Sequence, residues 1–418
     1  MAKKNSLKLF LLVAIGLVAL LAAGRGAQYF SGNLDTRSKP AVSAPSPNAA
    51  RKAADKPASQ RPPAPGPSKT SAADLLALRV EKKIINVHEH MQDIENVPMM
   101  VASMDTMGIA ETVLVGSSWF TITLNEKAGF TRYDENNDEL LKIVEAYPGR
   151  FEAWPTLSPT DPEKLDKLKA LVSRGATGLK LYIGHGYTRR DDGHYMFHTL
   201  AIDDPQMYPI YQYCQENYIP ICLHVNPFQP GFAQEMVTML SDFPDLKLIA
   251  PHFVMSSIKD SRMREFMDTF PNLYTDISFG HDDFLKPGLI RISKSPKKFR
   301  QIFADYEDRI MWGSDLVLTH IDQKDEAWLN ERIQAYYNML SAETYTASFI
   351  PNETLRGLSL PKETLEKVLY RNYQDFIAAR PKGTKITREI IWENMGVEKL
   401  DRTQGQMFPP PPKKKKTE

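Results

Sequence analysis

The chain has 418 residues, 42% hydrophobic and 25% charged, with a formal net charge of +1. That length exceeds one small domain and suits a single large barrel with appendages. The balanced charge supplies no long-range field for nucleic acid. Cys214 and Cys222 are the two cysteines; they cannot build a disulfide framework and lack zinc-ribbon spacing, so both read as core residues.

Lys3, Lys4 and Lys8 precede or open an apolar run over residues 9–23 that ends at Gly24-Arg25. A basic flank before such a run is the pattern of a signal peptide or a short signal anchor over residues 1–24. No cysteine follows Leu21-Ala22-Ala23, which excludes a lipoprotein anchor. The reading adopted is an uncleaved anchor with its basic end in the cytoplasm. The rest of the chain is then expected outside the cytoplasm, in a bacterial periplasm or at the cell surface, membrane-anchored or secreted. Residues 25–76 are rich in Pro, Ala, Ser and Lys, with Pro62-Pro63-Ala64-Pro65-Gly66-Pro67 near the end. Too little apolar surface is present to offset ordering entropy, so a disordered linker is expected. Residues 383–418 form a C-terminal extension closing on Pro409 to Pro412 and Lys413 to Lys416, a low-complexity basic tail.

Between these ends, over residues 77–382, short apolar runs alternate with helical patterns. Strands are expected at residues 84–88, 112–116, 151–156, 178–183, 220–224, 247–252, 273–277 and 309–315. Helices are expected between them, among others at 138–147, 162–173, 205–217 and 262–269. The helix ends Tyr147-Pro148-Gly149, Phe243-Pro244-Asp245 and Phe270-Pro271-Asn272 share an aromatic residue and a breaker. Eight strands at this rhythm predict an α/β fold, a (β/α)8 TIM barrel. An open doubly wound sheet would want a Gly-rich loop after its first strand. Here that strand ends in His88-Glu89-His90.

Nine histidines are present, and their placement matters more than their number. His88 and His90 end the first expected strand, His224 the fifth and His252 the sixth, while Asp315 ends the eighth in Trp312-Gly313-Ser314-Asp315. Barrel active sites lie at the C-terminal strand ends. Imidazoles and a carboxylate gathered on one rim suit a divalent metal such as zinc, with a position left for water.

These residues resemble the amidohydrolase superfamily. Gly178-Leu179-Lys180-Leu181-Tyr182, Leu248-Ile249-Ala250-Pro251-His252 and Met311-Trp312-Gly313-Ser314-Asp315 are similar to its amidohydrolase-related branch, which includes aminocarboxymuconate-semialdehyde decarboxylase, lactonases and hydratases. The closing segment from Leu369 to Phe376 resembles the branch's final Asn-containing helix, so the likeness spans roughly residues 84–377. Two departures stand out: Asn86 where the family has Asp, and Asp375 where it has Arg. The resemblance implies that His88, His90, His224 and Asp315 bind one divalent metal, zinc being the expected ion. It also implies that His252 orients or polarises the substrate or the attacking water; in a hydrolytic reaction Asp315 would carry the proton and His252 would stabilise developing charge. Lys180 stands where two-metal relatives carry a carbamylated bridging lysine; unmodified, it would meet a substrate carboxylate. Single-metal and two-metal forms therefore stay open at this point.

The favoured reaction is hydrolysis of a small ester, lactone, amide or similar substrate by a metal-activated water. The alternatives are non-oxidative decarboxylation or hydration of a small carboxylic or aromatic acid, and a non-catalytic ligand-binding barrel. Trp119, Tyr182 and Arg189, near the ends of the second and fourth expected strands, are the expected substrate contacts. Beyond the small molecule, a membrane contact through the N-terminal segment is expected if it is uncleaved, no nucleic acid is expected, and an oligomer stays open.

Overall fold

The computed structural model describes residues 61–117, 132–183, 188–189, 195–196, 200–227, 230–255, 260–320 and 324–386. The expected signal segment, most of the linker and the basic tail lie outside the described residues. Among those described, no helix is long and apolar enough to cross a membrane.

Eight parallel strands form the centre. They are β1 (Ile84–Glu89), β2 (Ile109–Val115), β3 (Phe151–Trp154) and β4 (Leu179–Leu181), then, beyond the short hairpin β5 (Thr188–Arg189) and β6 (Tyr195–Met196), β7 (Ile221–Leu223), β8 (Leu248–Ile249), β9 (Leu273–Asp276) and β10 (Ile310–Met311). Ladders join β1-β2-β3 and β4-β7-β8-β9-β10. A parallel bridge from Thr156 to Lys180 closes one seam. The other is closed by the Val87 N–H donating to the Trp312 carbonyl (3.1 Å), the Asp315 N–H donating to the His88 carbonyl (2.8 Å) and a parallel Met91–Leu318 bridge. The expected barrel is therefore closed, and every expected strand overlaps an observed one. The last is shorter than expected: strand pairing stops at Met311 and residues 312–315 form a loop.

Helices α2 (Val97–Met107), α3 (Tyr133–Ala146), α4 (Lys164–Ser173), α5 (Tyr208–Glu216), α6 (Pro230–Asp242), α7 (Ser261–Thr269), α8 (Asp282–Lys294) and α9 (Pro296–Asp305) follow the strands, preceded by α1 (Ser71–Val80). Their buried faces show the helical period, as with Ile210, Tyr211 and Cys214 on α5. After β10 come α10 (Glu326–Ser341), the antiparallel hairpin β11 (Thr344–Ala347) and β12 (Ile350–Arg356), and α11 (Lys362–Glu366) leading through a π turn into α12 (Asn372–Ala378). Neither α10 nor the last hairpin is foreseen from the sequence. Both cysteines are buried and free, as expected.

The expected linker needs correction at its end. Residues 71–76 belong to α1, whose Leu75 and Leu78 are buried. Arg61 pairs with Asp268 and lies over the Tyr306 ring at 4.9 Å. The Ala64 N–H donates to Gln301 Oε1 (2.7 Å), the Gln301 amide donates to the Pro62 carbonyl (3.0 Å) and the Ser68 N–H to the Ser359 carbonyl (2.7 Å). Composition predicts disorder from missing apolar surface. Here a cation and a few backbone hydrogen bonds hold the proline-rich segment, and composition does not register them.

Inside the barrel, Ile85, Val87, Val113, Val115, Trp154 and Met311 pack together with Tyr373 and Phe376 of α12. Glu111 and Glu152 lie near the starts of β2 and β3, with the Thr177 hydroxyl donating to Glu152 Oε2 (2.5 Å). Burial and then the neighbouring Glu152 raise the Glu111 carboxyl to about 7. A raised carboxyl contributes its stability below its unfolded value, and that contribution is lost as pH climbs toward the folded one. Replacing Glu111→Gln should therefore raise the melting temperature relative to the parent increasingly between pH 4.5 and 7. A difference that does not change with pH, followed by calorimetry, would contradict this.

Candidate metal centre

Regular alternation along β1 would put His88 on the face opposite Ile85 and Val87. A register shift between Asn86 and Glu89 breaks that alternation, and bulges of this kind re-aim side chains near active sites. His88 is thereby turned toward β4 and β9. Its Nδ1 donates to Asp276 Oδ2 (2.8 Å) and its Nε2 lies 3.2 Å from Lys180 Nζ. Gly313 is required beside it, because a Cβ there would come within 2.7 Å of His88 Cβ. Gly280, at φ +74, backs Asp315 in the same way, its added Cβ meeting Asp315 Oδ2 at 2.9 Å.

Three imidazoles share one tautomer. His90 Nδ1 lies 2.9 Å from the Val115 carbonyl and His252 Nδ1 lies 2.9 Å from the Ser278 carbonyl. A carbonyl only accepts, so the proton sits on Nδ1 in both; for His88 the ionised Asp276 sets the same choice. Burial first, and then the Lys180 ammonium, push the His88 pKa down to about 3. His90 is driven down by the same two causes, and His252 chiefly by burial. All three are neutral near pH 7, with Nε2 lone pairs exposed to the mouth of the barrel.

Those lone pairs face Asp315. Its Oδ1 lies 3.8 Å from His88 Nε2 and 3.5 Å from His90 Nε2, and its Oδ2 lies 3.7 Å from His252 Nε2. Burial pushes the Asp315 carboxyl well above the usual range, and among the described residues no hydrogen bond reaches its oxygens. Lone pairs turned toward a carboxylate in this position repel one another unless a proton on Asp315 or a cation lies between them. Ligand atoms of His88, His252 and Asp315 lie within 4.8 Å of one another, a spacing and donor set that suit a divalent metal. Of the expected site residues, His88, His252 and Asp315 form the tightest trio. His90 adjoins the trio through Asp315. His224 sits against it, its ring centroid 5.0 Å from that of His252. With its proton on Nδ1, His252 offers a lone pair at Nε2, the property of a ligand or base and not of an oxyanion donor.

Lys180 is fully buried; its ammonium donates to His88 Nε2 and to Cys222 Sγ (3.4 Å). Among the described residues no carboxylate lies within ion-pairing distance of it. The Tyr182 hydroxyl donates to the Gly116 carbonyl (3.0 Å), and its ring stacks on His90 at 6.4 Å, so it walls the site beside His90. Trp119 lies outside the described residues; the backbone of Arg189 belongs to β5, and its side chain lies outside what is described.

Glu89 and Asp276 escape the sequence reading. Glu89 accepts from the Ser314 hydroxyl (2.5 Å) and from the N–H groups of His90 (2.8 Å), Leu316 (3.1 Å) and Val317 (2.8 Å). The central residue of His88-Glu89-His90 is therefore a clamp on the Asp315 loop, where Asp315 and Val317 have φ of 50 and 57. A carboxylate between two candidate ligands, one strand face away, was the available signal. For Asp276 the signal was an acid ending the seventh strand, as Asp315 follows the eighth.

A closed (β/α)8 barrel carrying histidines and an aspartate at its C-terminal mouth defines the class, a metal-site barrel enzyme. The sequence model of the family described as Amidohydrolase matches residues 85–372, and the chain belongs to that family. The chain is accordingly an enzyme of the metal-dependent amidohydrolase type. No curated protein sequence matches. Among solved structures, an uncharacterised TIM-barrel protein from Bordetella bronchiseptica is similar at 17% identity and a TM-score of 0.48, covering 71% of this chain and 98% of that one. A probable 2-pyrone-4,6-dicarboxylic acid hydrolase from Acinetobacter baumannii has 14% identity and a TM-score of 0.47, with 71% and 100% covered. A 5-carboxyvanillate decarboxylase from Novosphingobium aromaticivorans, complexed with manganese and 4-hydroxy-3-methoxy-5-nitrobenzoic acid, has 15% identity and a TM-score of 0.43, with 71% and 96% covered.

Glu89→Gln puts an amide against backbone N–H donors that need acceptors. It should cost about 1–3 kcal/mol of stability, read as a lowered denaturant midpoint. A midpoint equal to the parent's would show that the clamp is not needed.

Proposed function

We propose that the chain hydrolyses a small ester, lactone, amide or related substrate bearing an anionic group. The observation that carries this reading is the Asp315 carboxylate set against the Nε2 lone pairs of His88, His90 and His252. A divalent cation bound there, zinc being suited to imidazole and carboxylate donors, would lower the pKa of a water toward neutrality and would polarise the scissile carbonyl. His88, His252 and Asp315 would hold it, with His90 and His224 beside them.

The chain's own groups divide the remaining work. Asp315 spans the site, Oδ1 toward His88 and His90 and Oδ2 toward His252, so it can accept a proton on one side and return it to the leaving group on the other. Lys180 supplies the positive charge that His252 in this tautomer does not. Its ammonium, buried beside His88, would stabilise negative charge developing on the substrate or hold a substrate carboxylate. The single-metal form follows from an unmodified Lys180; a carbamate on that lysine would support a second metal.

Decarboxylation of a small carboxylated acid is the second reading, favoured by that same buried ammonium with no carboxylate partner among the described residues. The zinc-reconstituted protein, assayed on esters, lactones, amides and aromatic acids for both acid release and carbon dioxide, separates the two. Hydrolysis that is abolished by chelation and restored by zinc is the expected result. Carbon dioxide release without hydrolysis would assign the second reading, and no turnover of either kind would favour a ligand-binding barrel.

A further inference from the structure

Residues 252–254 follow β8 in an unusual conformation. His252, Phe253 and Val254 have φ of 61, 54 and 55 with ψ of 46, 43 and 43, a left-handed turn with no glycine in it. Each such residue costs about 1–2 kcal/mol, and Val254 is β-branched, which makes its conformation a true outlier. A turn like this persists only where its surroundings over-determine it. Here those surroundings are β9 and the residues just after it. The Val254 N–H donates to the Thr275 hydroxyl (3.0 Å), the His252 N–H to Asp276 Oδ1 (3.0 Å), and the His252 ring to the Ser278 carbonyl (2.9 Å).

Asp276 does more than anchor the turn. Its Oδ2 accepts from His88 Nδ1, while its Oδ1 accepts from the His252 N–H, the Ser278 N–H (3.0 Å) and the Ser278 hydroxyl (2.6 Å). The Ser278 oxygen also lies 2.9 Å from His252 Nδ1 and 3.3 Å from His88 Nδ1. The carboxylate is fully buried.

We propose that Asp276, through its two oxygens and with Ser278 as its relay, is the positioning residue that fixes the tautomer of His88 and the backbone of His252 together, so that their Nε2 lone pairs are delivered to the metal as one unit. The proposal rests on the metal-site reading above. An amide cannot substitute. Asn at 276 has one acceptor oxygen and one NH2 group, so one side must meet a donor with a donor. If the NH2 group faces His88, that ring must move its proton to Nε2 and lose the ligand lone pair. If it faces His252 and Ser278, the clamp on the strained turn is lost.

The test uses full-length protein stripped of metal, titrated with zinc against a chromophoric chelator and with cobalt(II) for its visible absorption. Imidazole nitrogen shifts of the metal-free form are read by NMR. Parent protein should bind zinc and show histidines carrying their proton on Nδ1. Asp276→Asn should weaken zinc binding about 10–100-fold, alter the cobalt spectrum and shift at least one imidazole out of that tautomer. Ser278→Ala, which keeps the carboxylate, should give a smaller loss than Asp276→Asn, and it carries the test if Asp276→Asn does not fold. A variant at either position with parental zinc affinity, cobalt spectrum and imidazole shifts, whatever its melting temperature, would overturn the proposal. Failure of the parent itself to bind zinc or cobalt would instead overturn the metal-site reading.

Discussion

The constraint on which this barrel's mouth depends is repulsion. Three neutral imidazoles have their protons committed to the Val115 and Ser278 carbonyls and to Asp276, so each turns a lone pair toward Asp315. That carboxylate is itself buried, and among the described residues no donor reaches it. Such an arrangement is eased by a proton on Asp315, whose carboxyl burial pushes upward, or by positive charge placed among these groups. Lys180 supplies such charge where its ammonium meets the single lone pair of His88 Nε2, and a divalent cation taking up that lone pair would displace this contact.

Much of the surrounding structure can be read as the cost of holding that geometry. A register shift turns His88 inward, Gly313 makes room beside it, and Glu89 gathers the N–H groups of a loop that runs through left-handed residues. The turn at His252 is strained and is held from β9. Hydrophobic packing closes the barrel, while buried carboxylates fix its ligands. Both are needed, because burial alone has no direction, whereas each carboxylate oxygen specifies a donor.

Period and strand-end chemistry made the architecture legible. The alternation of apolar runs and helical patterns located all eight barrel strands, and His88, His90, His224, His252 and Asp315 do gather at the mouth. What stayed hidden depends on parity and on partners distant in sequence. A single bulge reverses which face a residue occupies, so Glu89 could not be distinguished from a bystander. Asp276 matters only because residues near 88, 252 and 278 meet it, and no local pattern encodes that meeting. The tautomer of His252 is hidden for the same reason, because it is set by Ser278. The docked segment around Arg61 was hidden because composition counts apolar surface and not a single well-placed cation.

A divalent cation is expected between those lone pairs and Asp315. Elemental analysis of purified protein, paired with the His88→Ala, His90→Ala double variant, tests it most directly. About one tightly held divalent ion per chain is expected in the parent and near none in the variant. A metal-free parent that turns over substrate at full rate, or a double variant that keeps the parent's metal, would contradict it.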